Sequence, residues 1–225
     1  MSRIHDMGGR FGDGAVTPDF GQEPVFKEEW HGRALALTLA SGFLGQWTLD
    51  EGRHMRESLS PNDYMRFSYY EKWLAGLANL LVEKGVVSRD ELETGSAKTA
   101  TEALLARVIK AEDVPARLSK GGPTERDVGP KALFAVGDLV KTHPAGNTTV
   151  PGGHTRLPIY AAGKTGQIVA IHGNHVFPDT NAHQAGEAPE PLYTVAFKAN
   201  ELWKHPDGPK DLVMLDLWQS YLAPL

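Results

Sequence analysis

Halfway along its length this chain changes rhythm. From Glu23 to Ile109 apolar residues recur at helical spacing, whereas from Phe134 to Trp218 they alternate in short runs broken by turn-forming residues. A helix hides one stripe and a strand one face, so the two halves call for separate layers of core. The organisation expected is α+β in three parts: an arm and helical domain at 1–110, a linker at 111–130 rich in glycine, proline and charge, and a strand domain at 131–225.

Residues 1–22 carry five glycines and little periodicity. They read as an extended N-terminal arm, either a free tail or a strap over another subunit. A helix then opens at Glu23-Pro24 and carries Phe26, Trp30, Ala34 and Leu37 to a stop near Gly42 or Gly45. Thr48-Leu-Asp-Glu51 and Ser88-Arg-Asp-Glu91 have the form of capping boxes, in which side chain and backbone satisfy each other at a helix start. Between them, Ser60-Pro61-Asn62-Asp63 begins a helix whose stripe of Tyr70, Trp73, Leu74, Leu77 and Leu81 runs to Gly85. Leu104, Leu105, Val108 and Ile109 mark one more helix.

The strand half holds about five short strands: Phe134–Lys141 around Gly137-Asp138, Gly166–Ile171, Leu192–Phe197 and Leu212–Trp218, with a tight hairpin expected at His172-Gly-Asn-His175. Closure is the usual answer to exposed edges in so small a sheet, which predicts an SH3-like β-barrel.

A net charge of −5 gives no basic face for nucleic acid. The absence of cysteine removes disulfides, zinc-thiolate sites and a thiol nucleophile together. The N-terminus lacks an apolar core of signal-peptide length and the run Ala34–Leu44 is too short to span a bilayer, so the chain is read as cytoplasmic. His172, His175 and His183 admit a metal reading, set against turn histidines with no metal. More pointed is Arg156, held between Gly152-Gly153 and a Pro158-Ile-Tyr160 run read as a strand start. A guanidinium so placed suits an oxyanion, or alternatively pairs with a nearby acid as a surface charge.

These residues resemble the β subunit of nitrile hydratase. The resemblance runs through Ile4-His-Asp-Met-Gly-Gly9, Glu23-Pro-Val-Phe26 with Trp30, Leu49-Asp-Glu-Gly-Arg53, Tyr69-Tyr-Glu-Lys-Trp73 and Leu81-Val-Glu-Lys-Gly85. It continues through Gly153-His-Thr-Arg156, Gly163-Lys-Thr-Gly166, Phe177-Pro-Asp-Thr180, Tyr193-Thr-Val195, Glu201-Leu-Trp203 and Asp216-Leu-Trp218 with Tyr221-Leu-Ala-Pro224. Their order and spacing carry the likeness.

The resemblance implies a bacterial enzyme that hydrates nitriles to amides at a Co(III) or Fe(III) centre held by an α subunit through oxidised cysteines, in an αβ pair that can double to α2β2. It implies that Arg53 and Arg156 hydrogen-bond those sulfur oxyanions and that Leu49, Tyr69 and Trp73 line the substrate pocket. Trp73 leans toward the cobalt type. Gly52 stands where many relatives have a bulky apolar residue, which implies a roomier pocket, and the loop Pro144–Gly152 is longer than usual. Two further readings stay open at this stage: a non-catalytic activator of the α subunit, and a free-standing SH3-like binding module.

Overall fold

The computed structural model describes residues 4–6, 18, 20–97, 100–145, 150 and 152–225. Most of the expected arm and the middle of the loop 144–152 therefore lie outside the described residues. The chain divides into two compact units, one of residues 1–5 and 10–122, the other of residues 6–9 and 123–225.

The first unit is helical. Helix α1 (Glu29–Phe43) starts later than Pro24 predicts, with Glu28 at its N-cap. Helix α2 (Leu49–Glu57) begins at the expected capping box: the Glu51 amide donates to Thr48 Oγ1 at 3.2 Å and the Thr48 amide to Glu51 Oε2 at 2.7 Å. The second Glu51 oxygen takes Lys84 Nζ at 2.6 Å, so one buried carboxylate both caps α2 and ties it to the far end of α4.

The long helix expected from Ser60 to Gly85 is two. Helix α3 (Pro61–Arg66) ends at Phe67, and α4 (Tyr69–Glu83) restarts behind Ser68, whose amide donates to Glu71 Oε2 at 2.7 Å. A second capping signal inside the stripe outweighs the continuity of the stripe. Helix α4 packs on α1 and α2, burying Leu77 and Leu80. Helix α5 (Arg89–Thr94) ends on Gly95 at φ 66°, and α6 (Glu102–Leu105) is a single turn. Within the 111–130 stretch, Val114–Lys120 forms α7, with proline in its first turn and Gly121 at its end. None of the helices among the described residues is long and apolar enough to cross a membrane.

The second unit holds six strands: β1 (Glu125–Arg126), β2 (Leu139–Thr142), β3 (Thr165–His175), β4 (Glu190–Lys198), β5 (Leu212–Trp218) and β6 (Leu222–Pro224). Two single-turn helices, α8 (Pro178–Asn181) and α9 (Ala199–Leu202), flank β4. The antiparallel order is β5-β4-β3-β2-β6, with β1 also on β3. The expected SH3-like β-barrel is not formed: among the described residues no ladder joins β5 to β6, and the sheet stays open. Instead β3 divides its length among β1, β2 and β4 and shifts register against β4 twice. The sheet bends at those bulges without its end strands meeting.

One of those shifts lies between Ile171 and Asn174, with Gly173 at φ 81°. His172–His175 is thus a bulge within β3 and not the expected hairpin turn. A Gly-Asn pair supplies the same left-handed residue to either structure, and the long partner strand β4 decides between them. The core comprises Val140, Ile168, Tyr193, Val195, Phe197 and Leu217, all essentially inaccessible. At Gly166 a Cβ would lie 2.5 Å from Val195 Cγ1, so glycine is what leaves room for the β4 side chains at that point.

Candidate functional site

In the helical unit, α2 carries one face through Leu49, Gly52 and Arg56, at positions i, i+3 and i+7. These three meet Trp73 and Gly76 of α4 and Arg117 of α7 around a cavity of about 490 Å³ with mostly apolar walls. Leu49, Gly52 and Trp73, anticipated as pocket residues, are therefore brought together. Tyr69 is exposed beyond this wall, its ring 5.6 Å from that of Trp73.

At Gly52 a Cβ would meet only Trp47, at 3.8 Å, which is ordinary contact. The glycine is thus not demanded by packing. It leaves room in the cavity.

Arg56 was not foreseen as a site residue. Its guanidinium lies over the Trp73 ring, 4.5 Å from the centroid, and its stem crosses α4 at Gly76, where a Cβ would come within 2.6 Å of Arg56 Cγ. Burial lowers its pKa from the usual arginine value, although it stays a cation at any working pH. The available signal was its i+4 spacing from Gly52. What sequence reasoning lacked was the helix crossing that turns this face toward Trp73.

Arg53 sits on the neighbouring face of α2. Its Nη1 donates to Asp50 Oδ1 at 2.9 Å, and Asp50 is buried. This fixes one edge of the guanidinium and commits one of its five N–H donors.

In the strand unit, Arg156 is exposed and follows three residues of positive φ: Gly152 at 102°, Gly153 at 95° and His154 at 66°. A Cβ at Gly152 would lie 2.7 Å from His183 Cε1, and His183 Nε2 is 2.8 Å from the Gly153 carbonyl oxygen. The absence of a side chain at Gly152 is what lets the backbone come this close to the ring. The Arg156 amide donates to the Tyr221 hydroxyl at 3.0 Å, and that hydroxyl donates to buried Asp179 Oδ1. Burial, then the Asp179 charge, pushes the Tyr221 phenol well above its ordinary range, so it remains a donor.

The Pro158-Ile-Tyr160 run is a short 3-10 turn at Ile159–Ala161, not a strand start. Asp6, the described end of the arm motif, accepts the Ile159 amide at 2.9 Å through Oδ2. Tyr160 stacks on Trp203 with centroids 5.6 Å apart. Asp179 and Tyr221 lay within recognised motifs but carried no assigned role; only the folded chain aligns them behind Arg156.

The three histidines considered for a metal face different groups. His172 Nε2 is 2.7 Å from Thr194 Oγ1, His175 Nδ1 is 3.1 Å from Thr124 Oγ1, and His183 takes the Gly153 carbonyl.

Residues 1–122 match the family model described as nitrile hydratase beta subunit, N-terminal, and residues 123–224 match its C-terminal counterpart. A nitrile hydratase subunit beta from Pseudomonas putida is 40% identical, with 100% of both chains covered. The low-molecular weight cobalt-containing nitrile hydratase subunit beta of Rhodococcus rhodochrous is 36% identical, again over 100% of both. A cobalt-containing nitrile hydratase subunit beta from Pseudonocardia thermophila is 35% identical over 99% of this chain and 96% of the relative.

Proposed function

We propose, from the premise that this chain belongs to the nitrile hydratase β-subunit family, that it pairs with an α subunit in the bacterial cytoplasm and there forms part of the pocket in which a nitrile takes up water to become an amide. The observation that carries the reading is the cavity in which Leu49, Gly52 and Trp73 meet, in a chain matched to the family along its full length. The match of the strand half tells against an activator, since that resemblance is confined to the helical half.

With no cysteine, this chain lacks the thiolates that such a metal takes, and its fit to the centre is through arginine donors. Held by the α subunit, the Co(III) or Fe(III) ion supplies Lewis-acid polarisation. Trp73 and the cobalt named in two relatives support cobalt.

The chain's own residues bind and orient. Leu49 and Trp73 cover the apolar body of the nitrile and exclude bulk water, while Gly52 sets how large that body can be. Tyr69 offers a phenolic hydroxyl at the rim. Arg53, steadied by Asp50, and Arg156, steadied through its amide by Tyr221, present guanidinium donors to the oxidised sulfurs of the α subunit. These bonds hold the sulfur oxyanions without any proton leaving the arginines.

The test is native mass spectrometry on the tagged chain drawn from its own host. The expected species is an αβ or α2β2 complex carrying cobalt or iron and extra cysteine oxygens, and the complex hydrates nitriles. A metal-free monomer or homodimer in cells that make the α subunit overturns the reading.

A further inference from the structure

We infer that the helical-unit cavity selects nitriles bearing a carboxylate or comparable hydrogen-bond acceptor at the end remote from the cyano group, through the guanidinium of Arg56 assisted by Arg117. This rests on the proposed function, because it names the substrate class of the same pocket.

Among the described residues the walls of the cavity include two cations, Arg56 and Arg117, and no carboxylate, in a chain whose net charge is −5. Neither arginine makes an ion pair or a side-chain hydrogen bond among the described residues. The acid next to Arg56 in sequence, Glu57, lies 3.9 Å from His5 and 3.8 Å from His54, and it acts on Arg56 through its charge without forming an ion pair with it. Stacking on Trp73 occupies the face of the Arg56 guanidinium and leaves its in-plane N–H donors for another group.

The site is built for this arrangement. Gly76 has no Cβ where one would strike the Arg56 stem, so the arginine can lie between α2 and α4 and reach the cavity at all. A half-buried cation whose water is partly removed gains more from an anionic partner than an exposed one does. The remaining walls are largely apolar, which suits an aromatic or aliphatic spacer between the cyano group and the acceptor.

The test compares 4-cyanobenzoate with 4-methylbenzonitrile, a neutral compound of similar shape, on the assembled holoenzyme. The ratio of kcat/KM for the two favours the carboxylate in the wild type. It falls about tenfold or more in Arg56→Met, chiefly through KM for the carboxylate, as expected for loss of a charge-assisted hydrogen bond. Arg56→Lys recovers part of the ratio, and Arg117→Gln lowers it less than Arg56→Met. A proportionate loss on both substrates, which a packing role beneath Trp73 gives, overturns the inference. So does a wild type that uses the carboxylate no better than the methyl compound, a result that needs no variant to fold. Should the holoenzyme turn over 4-methylbenzonitrile with a ratio indifferent to Arg56, only this inference fails; should it hydrate neither of these nor a small aliphatic nitrile, the functional reading falls with it.

Discussion

The Tyr221 hydroxyl receives the backbone amide of Arg156 at 3.0 Å. It donates its own hydrogen bond to Asp179, so a buried acid at one end of the relay fixes the main chain of an exposed arginine at the other. Tyr221→Phe keeps the ring in the core and removes the relay. The expected loss is about 1–3 kcal/mol of stability, because Asp179 and the Arg156 amide both lose a partner away from full solvent. Urea unfolding of the assembled protein, beside its turnover, measures both consequences. An unchanged midpoint would show that the relay is slack.

Arg53→Ala and Arg156→Ala are each expected to remove most nitrile hydration, a fall of about a hundredfold or more, since an oxyanion in a water-poor site would be left without its donor. The check is steady-state kinetics on complexes whose cysteine oxidation has been verified by mass spectrometry. Near-normal turnover with fully oxidised cysteines would remove either arginine from the site.

A side chain at Gly52 has space to enter, since its Cβ would meet only Trp47 at 3.8 Å. Gly52→Phe is therefore expected to fold and to fill part of the cavity. Its kcat/KM for aromatic nitriles should drop about tenfold relative to that for a small aliphatic nitrile. Unchanged preference would mean that the cavity is not where the substrate body lies.

Burial raises the pKa of Glu190 above the ordinary glutamate range, against hydrogen bonds from the Ser220 amide and hydroxyl that act the other way. The folded state thus holds this proton more tightly than the unfolded one. Its contribution is fully present below the unfolded pKa and is lost as pH rises through the higher folded value. Glu190→Gln is expected to be more stable than the wild type at neutral pH, the gap closing as pH falls through the glutamate range. Denaturation at a series of pH values checks the sign; a gap that widens toward acid contradicts it.

Local signals were readable in advance and remote ones were not. Thr48 with Glu51, and Ser88 with Glu91, close capping boxes in the folded chain because all the atoms involved lie within three residues. The same signal at Ser68 and Glu71 was overlooked beneath a hydrophobic stripe that ran across it. Whether β5 meets β6 depends on the curl of the whole sheet, which alternation along single strands does not encode. In the candidate site, Leu49, Gly52 and Trp73 were marked through family likeness, whereas Arg56 became visible only once Gly76 brought its helix against α4.

The run of left-handed backbone at Gly152, Gly153 and His154 has an evolutionary consequence. A Cβ at Gly152 would strike the His183 ring, and the Gly153 carbonyl meets that ring's nitrogen, so a residue inserted between Gly152 and Arg156 would break the spacing that joins the His183 contacts to the Arg156 amide on Tyr221. Length can drift in the chain ahead of Gly152 at little cost. Descendants of this sequence are free to remodel the approach to the arginine, but the four peptide links that deliver it are frozen.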